Sequence, residues 1–445
     1  MKLRTFNQGG VHPPENKISA DIPIKILGVP QQICIPIHQH LGAPAVPVVE
    51  KGDKVKVGTL IAKKGTAFIS ANIHSSVSGT VAKIDDVLDA TGYKNKAVVI
   101  NVEGDEWEDT IDRSDHLVPE IKLEPEEILK KIEEMGVVGL GGATFPAHIK
   151  YMVSNGRKSD TLVVNGAECE PFLTSDHRLM LERTDEIMIG IQIMMKSGQV
   201  DRAVIGIESN KPDAIENLRI KAQQFPGIEV IPLKVKYPQG AEKQLIKALL
   251  NREIPSGKLP LDVGVIINNV GTVLAIYEAV QKNKPLIERV VTITGKKLKT
   301  KGNFLVRIGV PAAMLLEALG EEIPEGTSKI ISGGPMMGKA LNSLDIPITK
   351  GTSGIILMDE SEAWRREPVN CIRCAKCISV CPMGLEPYLL EKLAEREMFD
   401  RCEANAITDC MECGSCSYIC PAARPLLDYI RYGKVNVMRI MRERR

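Results

Sequence analysis

The chain has 445 residues, of which 44% are hydrophobic and 25% are charged, and its formal net charge is +1. This length predicts about three domains or more, and the composition is ordinary for a globular protein. The balanced charge and the 4% aromatic content argue against a nucleic-acid partner, and the N-terminal MKLRTFNQGG lacks the apolar core of a signal peptide.

The first hundred residues predict two segments. Residues 1–30 are rich in proline and glycine and predict an irregular arm. Residues 31–105 contain short β-rich runs between turns, with alternation from Val55 to Ile61. This pattern resembles a barrel-sandwich hybrid of the lipoyl and biotinyl type, although residues 73–76 (IHSS) occupy the hairpin tip in place of a carrier lysine. His38 and His40 could share one strand face there, but a metal site is the weaker interpretation.

Residues 106–285 alternate helical and buried strand patterns, which is typical of a parallel sheet with helices on both faces. A helix is expected to begin at Pro125, and a glycine-rich stretch, residues 136–146 (GVVGLGGATFP), follows it. Glycine lets backbone amides approach a phosphate closely, and a helix expected after Pro146 would add its N-terminal dipole. The order is not the strand–loop–helix of a dinucleotide fingerprint, so a structural glycine turn remains an alternative.

Three predicted strands of this region end in polar residues. The segments are residues 165–171 (NGAECEP), 237–242 (YPQGAE) and 267–272 (INNVGT). Polar groups at strand ends of an α/β sheet usually line a ligand crevice, here one suited to flavin or ribose groups. Each segment could instead be a turn or a helix cap. The apolar stretch 263–277 is shorter than the roughly 20 residues of a membrane span, so we predict that any membrane association is peripheral.

The last third of the chain predicts two modules and a tail. Residues 286–355 combine strands, one helix and a glycine-rich turn (SGGPMMG), which predicts a small β-grasp module. Residues 356–432 contain most of the cysteines, and residues 433–445 form a basic tail. A solvated helical end is the simpler interpretation of the tail, and docking to a membrane partner is the alternative.

Eight cysteines form two runs with the spacing C-x2-C-x2-C-x3-C-P. This is the spacing of bacterial ferredoxins, in which the fourth cysteine of each run binds the other [4Fe–4S] cluster. The spacing does not fit a zinc site, and a disulfide framework belongs to short secreted chains. Oxygen-sensitive clusters favour the cytoplasm. One predicted cluster is held by Cys371, Cys374, Cys377 and Cys420, and the other by Cys410, Cys413, Cys416 and Cys381. Free thiols are predicted for Cys34, Cys169 and Cys402.

These motifs together resemble a known family. GLGGATFPAHIK, NGAECEP, YPQGAE and INNVGT are similar to the FMN- and NADH-binding signatures of the complex I flavoprotein subunit. GGVHPPENK, SGGPMMG and the two cysteine runs resemble the C subunit of the Rnf complex, an ion-translocating ferredoxin:NAD oxidoreductase, over nearly the whole chain. The complex I subunit has a single C-x2-C-x2-C motif, so the tandem runs favour the Rnf family.

The resemblance implies cofactor contacts. FMN would be held by Gly139, Gly141, Gly142, Lys150, Asn165, Glu168, Asn268, Asn269 and Thr272, and NAD(H) by Phe145, Glu170 and Glu242. Gly240 would also contact a cofactor. The chain departs from the complex I pattern at Leu140, Thr144, Ala167 and Ala241. The implied fold is multidomain, α/β and α+β: a barrel-sandwich hybrid, a Rossmann-like FMN/NADH domain, an SLBB-like β-grasp and an α-helical two-cluster ferredoxin-like domain.

The implied function is an oxidoreductase subunit of a translocase. It passes electrons between NAD(H), FMN and two [4Fe–4S] clusters, with no catalytic side chain because the cofactors carry the chemistry. Its expected partners are the integral membrane and iron–sulfur subunits of the Rnf complex and, indirectly, ferredoxin, on the cytoplasmic side of the cell membrane. The alternatives are a soluble flavin-based bifurcating NADH dehydrogenase subunit and a pure iron–sulfur relay and docking module with a degenerate nucleotide site.

Overall fold

The computed structural model describes residues 3–152 and 158–444. The N-terminal region contains eight short strands: β1 (Ile24–Ile26), β2 (Gln32–Pro36), β3 (Val46–Pro47), β4 (Lys54–Val55), β5 (Leu60–Lys63), β6 (Ile73–His74), β7 (Gly79–Leu88) and β8 (Lys94–Val102). Seven of them form two sheets, in the orders β2-β8-β7-β4 and β3-β5-β6. Alternate residues of these strands, such as Ile35, Ile61 and Ile100, are buried between the sheets.

The hairpin tip of this region is buried. Ser75 and Ser76 have no exposed surface. The Ser76 hydroxyl donates to the Ile308 carbonyl, and the Arg307 guanidinium donates to the Ser76 carbonyl. A carrier residue at this tip would have to be solvent-exposed, so the tip serves as a contact with the 286–355 module.

The central region contains a four-stranded parallel sheet in the order β11-β10-β9-β12. Its strands are rich in valine and isoleucine and buried on both faces, as expected for parallel strands covered by helices. The elements are α1 (Pro125–Glu134), β9 (Thr161–Asn165), α2 (Ser175–Glu182), α3 (Thr184–Gly198), β10 (Ala203–Glu208), α4 (Pro212–Ala222), β11 (Ile228–Leu233), α5 (Glu242–Leu250), β12 (Val265–Asn269) and α6 (Val270–Gln281).

The helix expected after Pro146 is absent from the described residues. A five-residue 3-10 segment, Ala147–Tyr151, takes its place. Such a segment has too few aligned peptide groups to provide the expected dipole. This part of the sequence-based prediction was wrong.

A six-stranded sheet in the order β1-β14-β13-β17-β15-β16 follows the central region. Its outer strand, β1, comes from the N-terminal arm and runs parallel to β14. The arm is therefore not irregular throughout, because Asn303 donates hydrogen bonds to the carbonyls of Ser19 and Ile22 and holds it against the sheet. The elements are β13 (Glu288–Thr294), β14 (Gly302–Arg307), α7 (Ala313–Leu319), β15 (Thr327–Ser332), β16 (Lys339–Leu341) and β17 (Gly354–Asp359).

The C-terminal region is helical, and its two halves repeat. The cysteine at each position of the second run follows its counterpart by 39 residues, as with Cys371 and Cys410. α13 extends to Glu443, so residues 433–443 continue this helix, with Val437 buried. The helices are α8 (Glu360–Ala363), α9 (Lys376–Ser379), α10 (Pro387–Glu395), α11 (Phe399–Ala404), α12 (Ser415–Ile419) and α13 (Leu426–Glu443). In the described part of the chain, no helix has both the length and the apolarity needed to cross a membrane.

Candidate nucleotide site and cysteine clusters

The strand order of the parallel sheet reverses between β9 and β12. From β9 the chain proceeds outward through β10 and β11, then returns to place β12 on the other side of β9. Ligands of open α/β sheets bind at such a switch point, outside the carboxyl ends of the strands. Asn165 and Asn269 end these two strands and are paired in register. The sheet therefore brings two of the three predicted polar segments together.

The glycine-rich stretch forms a closed loop over this switch point. The Gly139 N–H donates to the Phe145 carbonyl at 2.8 Å, and the Leu140 N–H donates to the Thr272 hydroxyl at 2.8 Å. Gly141 lies against Asn269, while Gly142, with φ of +108°, has open space where a Cβ would be. The loop is thus anchored at Leu140 and exposes its two glycines, which suits close approach of a phosphate.

Thr144 continues the loop in a left-handed conformation, with φ of +50°. That conformation is costly for a β-branched residue, and glycine occupies this position in the complex I motif. The Thr144 carbonyl accepts a hydrogen bond from Leu41, and its methyl group faces Gly351. Contacts with two other regions therefore hold the loop in this shape.

The three predicted asparagines have different surroundings. Asn165 donates to the Gly240 carbonyl at 2.7 Å, and Asn269 caps helix α6 by accepting from Gly271. Asn268 is 1% exposed and donates to the Tyr151 hydroxyl at 3.0 Å. Its Oδ1 is buried and has no hydrogen-bond partner among the described residues. Buried polar atoms are normally paired, so this oxygen is a candidate ligand contact.

Glu168 is engaged within the protein. Its carboxylate accepts hydrogen bonds from the backbone N–H groups of Asp176 and His177 at 2.7 and 3.3 Å, at the start of α2. Its carbonyl accepts from the Lys17 ammonium at 2.7 Å. Glu168 therefore shapes the loop after β9, and its contact with FMN stays a prediction.

Glu170 holds the glycine-rich turn of the 286–355 module. Its carboxylate accepts from the backbone N–H groups of Met336 and Met337 at 3.0 and 2.8 Å. A Cβ on Gly334 would lie 2.3 Å from this carboxylate, which explains the glycine there. Burial raises the pKa of Glu170 to about 7. Glu170, which is predicted to lie at the NAD(H) pocket, thus connects the parallel-sheet region to the 286–355 module.

Lys150, Gly240 and Glu242 lie near the two strands that flank the switch point. The Lys150 ammonium donates to the Ile267 carbonyl at 2.9 Å and is close enough to Glu242 for their charges to interact. Gly240 packs against Asn165, Ala167 and Cys169, so its loop borders the strand ends. The structure thus brings the segments of all thirteen predicted cofactor residues to one edge of the sheet.

Three functional candidates here were not predicted from the sequence, although Lys17 is the last residue of the motif GGVHPPENK. Lys17 donates to the carbonyls of Glu168, Glu170 and Leu173 and so organises the loop after β9. Arg289 donates to the Leu140 carbonyl. Asp176 accepts from Asn269 at 2.6 Å, and burial, reinforced by the Glu168 charge, raises its pKa to about 7. All three act through partners more than 90 residues away in the chain, which local patterns do not reveal.

The two cysteine runs share one backbone shape. Arg373 and Ala375 in the first run, and their counterparts Glu412 and Gly414, all have positive φ between 54° and 78°. These left-handed residues turn the chain around a common centre. The local shape therefore agrees with three thiols per run converging on one cluster.

The fourth thiols cross between the runs. Cys381 lies near enough to Cys410, Cys413 and Cys416 to perturb their pKa values, and Cys420 is near enough to Cys377 to do the same. A cavity is lined by Cys381, Cys410, Cys413 and Cys416. Among the described residues no three potential ligands could share a single metal ion. The donor set fits [4Fe–4S] clusters, whose four thiolates each bind a different iron.

The second set of thiols, of Cys381, Cys410, Cys413 and Cys416, is more deeply buried than the first set, of Cys371, Cys374, Cys377 and Cys420. Burial raises the pKa of Cys410 to about 11 and of Cys416 to about 12, so these thiols stay protonated at neutral pH unless a metal displaces the proton. Backbone N–H groups of Glu412 and Leu385 point at the sulfurs of Cys410 and Cys381 at 3.4 Å. Cys374 of the first set is exposed.

The remaining cysteines are not among the predicted ligands, although Cys169 packs against the apolar cluster that contains Cys413, and Cys402 shares one with Cys416. Cys402 is buried in the helical core, and burial raises the pKa values of Cys34 and Cys169. His38 and His40 lie in the loop after β2, and each ring bonds a backbone carbonyl, of Gly42 and Ala43.

The second cysteine set is seated on the nucleotide domain. The Tyr237 hydroxyl donates to the Cys413 carbonyl at 2.8 Å, and Gln244 donates to the Pro382 carbonyl at 3.2 Å. Gly10 of the arm donates to the Val380 carbonyl at 2.9 Å. A Cβ on Gly9 would lie 2.6 Å from the Cys381 backbone, so the arm can pass this ligand only as glycine.

Three family models match the chain. Residues 5–105 match the RnfC barrel sandwich hybrid domain, residues 132–278 match the Nuo51 FMN-binding domain, and residues 363–421 match the 4Fe-4S dicluster domain. The second match contains the glycine-rich loop and all three polar strand ends, and the third contains both cysteine runs.

Curated relatives match over nearly the whole length. The chain is 47% identical, over 97% of its length and 94% of the relative, to the C subunit of the proton-translocating ferredoxin:NAD(+) oxidoreductase complex of Clostridium ljungdahlii. It is 43% identical, over 98% of both chains, to the C subunit of the Na(+)-translocating ferredoxin:NAD(+) oxidoreductase complex of Acetobacterium woodii.

Among solved structures, the chain resembles an NAD+-reducing [NiFe]-hydrogenase in the H2-reduced state, with a TM-score of 0.52 and 17% identity. The match covers 71% of this chain and 63% of that one. It indicates a shared fold.

Proposed function

The chain belongs to the family formed by the C subunits of ion-translocating ferredoxin:NAD(+) oxidoreductase complexes, and we propose that it passes electrons between NAD(H), FMN and two [4Fe–4S] clusters as the NAD(H)-reactive subunit of such a complex. The observation that carries this proposal is the seating of one four-cysteine set directly on the domain that holds the glycine loop, through Tyr237 and Gln244. FMN, when bound, supplies the conversion between a two-electron hydride and single electrons.

The glycine loop and the strand ends are the proposed FMN site. Exposed Gly141 and Gly142 leave room for a phosphate, Lys150 supplies a cation, and the buried Oδ1 of Asn268 supplies an acceptor. Thr272 and Glu168 act indirectly, by fixing the glycine loop and the loop after β9. The other proposed FMN residues are Gly139, Asn165 and Asn269.

The proposed NAD(H) side of the site is formed by Phe145, Glu170, Gly240 and Glu242. Phe145 is half-buried at the end of the glycine loop, next to the exposed glycines. Gly240 packs against Asn165 at the end of β9, and the Glu170 carboxylate accepts hydrogen bonds from the Met336–Met337 turn.

The two cysteine sets give the electron path an order. The set of Cys381, Cys410, Cys413 and Cys416 packs against the nucleotide domain through Cys413. The set of Cys371, Cys374, Cys377 and Cys420, in which Cys374 is exposed, is the proposed outer set. We propose that electrons pass between the flavin and the cluster of Cys381, Cys410, Cys413 and Cys416, and then between the two clusters. The outer cluster would exchange electrons with another subunit.

The finer fold assignments are also proposals. The parallel sheet supports a Rossmann-like domain at 106–285, the mixed sheet an SLBB-like β-grasp at 286–355, and the repeated helical region a ferredoxin-like domain at 356–432. The arm at 1–30 and the barrel-sandwich hybrid at 31–105 complete the proposed division. Strand β1 of the arm pairs with β14 of the 286–355 module, so this division by sequence position does not separate the two in space.

The names of the relatives place them in multi-subunit translocating complexes. We propose that this chain binds the integral membrane and iron–sulfur subunits of an Rnf complex on the cytoplasmic side of the membrane, and meets ferredoxin only indirectly. Detergent extraction followed by affinity purification of the tagged chain tests this. Co-purification of membrane subunits is expected, and recovery with soluble partners only would favour the bifurcating enzyme.

The test of the redox function is anaerobic purification followed by flavin, iron and sulfide analysis. The proposal expects one FMN and two [4Fe–4S] clusters per chain, with NADH bleaching the flavin. Clusters without flavin would instead indicate an iron–sulfur relay with a degenerate nucleotide site.

A further inference from the structure

Tyr237 links the nucleotide loop to a cluster ligand by a buried hydrogen bond. Its hydroxyl donates to the Cys413 carbonyl at 2.8 Å, and the two residues are 2% and 7% exposed. A carbonyl oxygen can only accept, so the Tyr237 hydroxyl is the donor in this contact. This phenol is directed at the backbone of a ligand and not at a sulfur.

The position of Tyr237 is fixed at its backbone as well. Its N–H donates to the Val11 carbonyl at 2.9 Å, and its carbonyl accepts from the Val11 N–H at 2.8 Å. The side chain packs in a small apolar cluster with Val11, Cys413 and Met336. The hydroxyl therefore has little freedom to leave Cys413, and the loop to Gly240 and Glu242 begins from a rigid point.

A second contact supports the same cysteine loop from the nucleotide side. A Cβ on Gly414 would lie 3.0 Å from the Met336 carbonyl, and Met336 is itself held by the Glu170 carboxylate. The Cys413–Gly414 peptide thus lies between Tyr237 and the Met336 turn. Its carbonyl dipole has a fixed direction relative to the cluster site.

Hydrogen bonds around an iron–sulfur cluster change its reduction potential. A donor directed at a ligand's carbonyl offsets the negative end of that dipole, and this favours the reduced cluster, which carries one more electron. We propose that Tyr237 is a positioning residue that raises the reduction potential of the cluster held by Cys381, Cys410, Cys413 and Cys416. The cluster gains one electron in this reaction, and Tyr237 neither gains nor loses a proton.

The raised potential would suit this cluster to accept electrons from the flavin next to it, so the inference deepens the proposed function and rests on it only through the presence of the cluster. The test is an EPR-monitored potentiometric titration of the full chain, with redox mediators in place of NADH. A protein unable to react with NADH would fail the proposed function and still report the potential of its clusters.

Tyr237→Phe removes the hydroxyl and keeps the ring. The expected result is a lower potential for the cluster of Cys413, with the other cluster unchanged. Tyr277→Phe is the matched control, because Tyr277 is 1% exposed and its hydroxyl accepts from Val118, in the parallel-sheet domain. An unchanged potential in Tyr237→Phe, or an equal shift in Tyr277→Phe, would overturn the proposal.

A second variant tests the proposal in case Tyr237→Phe does not assemble the cluster. Site-specific 3-fluorotyrosine at position 237 keeps the ring and the hydroxyl but makes the phenol a stronger donor. The expected shift is then upward, opposite to that of phenylalanine. A downward or absent shift would contradict the assigned role, since a purely structural contact has no reason to follow donor strength.

Discussion

Leu140 and Thr272 are joined by a hydrogen bond from the Leu140 backbone N–H to the Thr272 hydroxyl, at 2.8 Å. Thr272 has no exposed surface and lies in the first turn of α6, shortly after Asn268 and Asn269. The bond therefore fixes the glycine loop relative to the asparagines at the end of β12. The proposed FMN site requires the glycine loop and these asparagines to keep their relative positions.

Thr272→Val should weaken FMN binding about tenfold. Valine matches the shape of threonine but leaves the buried Leu140 N–H without an acceptor, which costs about 1–3 kcal/mol. Equilibrium dialysis or fluorescence titration of FMN with the apoprotein measures the effect. Thr272→Ser retains the hydroxyl and should bind FMN within about twofold of wild type; equal losses in both variants would mean that the methyl packing, and not the hydrogen bond, matters.

Asn268→Leu should also weaken FMN binding, by about tenfold or more, because it removes a buried acceptor that has no hydrogen-bond partner in the described part of the chain. Tyr151→Phe is the control, since it deletes the internal partner of Asn268 and leaves Oδ1 in place. FMN affinity measured for both variants separates the two roles. If Tyr151→Phe weakens binding as strongly as Asn268→Leu, then Oδ1 is not a ligand contact.

The crossed cysteine sets predict which variants lose the same cluster. Cys381→Ser should remove the EPR signal that Cys416→Ser removes, although Cys381 belongs to the first run. Cys420→Ser should match Cys371→Ser in the same way. Each variant should retain about four of eight irons, as expected for one remaining [4Fe–4S] cluster.

Cys402→Ala is the control for that series, because Cys402 is fully buried and lies in neither set. Its iron content and spectrum should equal those of wild type. A spectrum of Cys381→Ser that resembles Cys371→Ser would show that each run closes its own cluster.

Gly334→Ala should destabilise the junction of the nucleotide domain and the 286–355 module. The new Cβ would lie 2.3 Å from the Glu170 carboxylate, and overpacking of this kind costs about 1–3 kcal/mol. The thermal unfolding midpoint should therefore fall. Gly28→Ala, where no described atom lies within 4 Å, should leave it unchanged. In a Glu170→Gly background, which removes the whole side chain including the Cβ that would lie 2.6 Å away, the cost of Gly334→Ala should shrink, and full additivity would argue against the clash.

Lys350 should make stability depend on pH above neutrality. Its ammonium is buried and donates to the carbonyls of Asn72 and Gly136, and burial lowers its pKa from 10.5 to about 7. Between these values the unfolded chain binds the proton and the folded chain does not, so the free energy of unfolding rises with pH. The slope is up to about 1.4 kcal/mol per pH unit.

Denaturant unfolding at pH 7, 8 and 9 measures this effect. The difference between wild type and Lys350→Met should grow in favour of wild type as the pH increases. Lys25→Met, at an exposed position, should show a constant difference. Parallel curves for wild type and Lys350→Met would contradict the lowered pKa.

The cysteine runs and the polar strand ends could be predicted because their spacing is local. Cluster ligation needs thiols at fixed short intervals, and an α/β sheet gathers the ends of its strands at one edge. Asn165 and Asn269 illustrate this, since each follows a buried apolar run and the two are register partners.

The hydrogen bonds that the site residues make to distant parts of the chain could not be predicted. The partners of Glu170 lie 166 and 167 residues away, and Lys17 holds the loop after β9 from 151 residues away. β1 is only three residues long, and its pairing with β14 depends on Asn303. Such contacts follow from how domains meet, which short-range propensity and periodicity do not encode.

Rapid-freeze EPR after mixing the anaerobic chain with NADH tests the proposed electron path most directly. We predict that the flavin is reduced first, that the cluster of Cys381, Cys410, Cys413 and Cys416 follows, and that the cluster of Cys371, Cys374, Cys377 and Cys420 is reduced last. In Cys381→Ser, reduction should stop at the flavin. Reduction of the outer cluster before the inner one, or clusters that NADH does not reduce at all, would contradict the account.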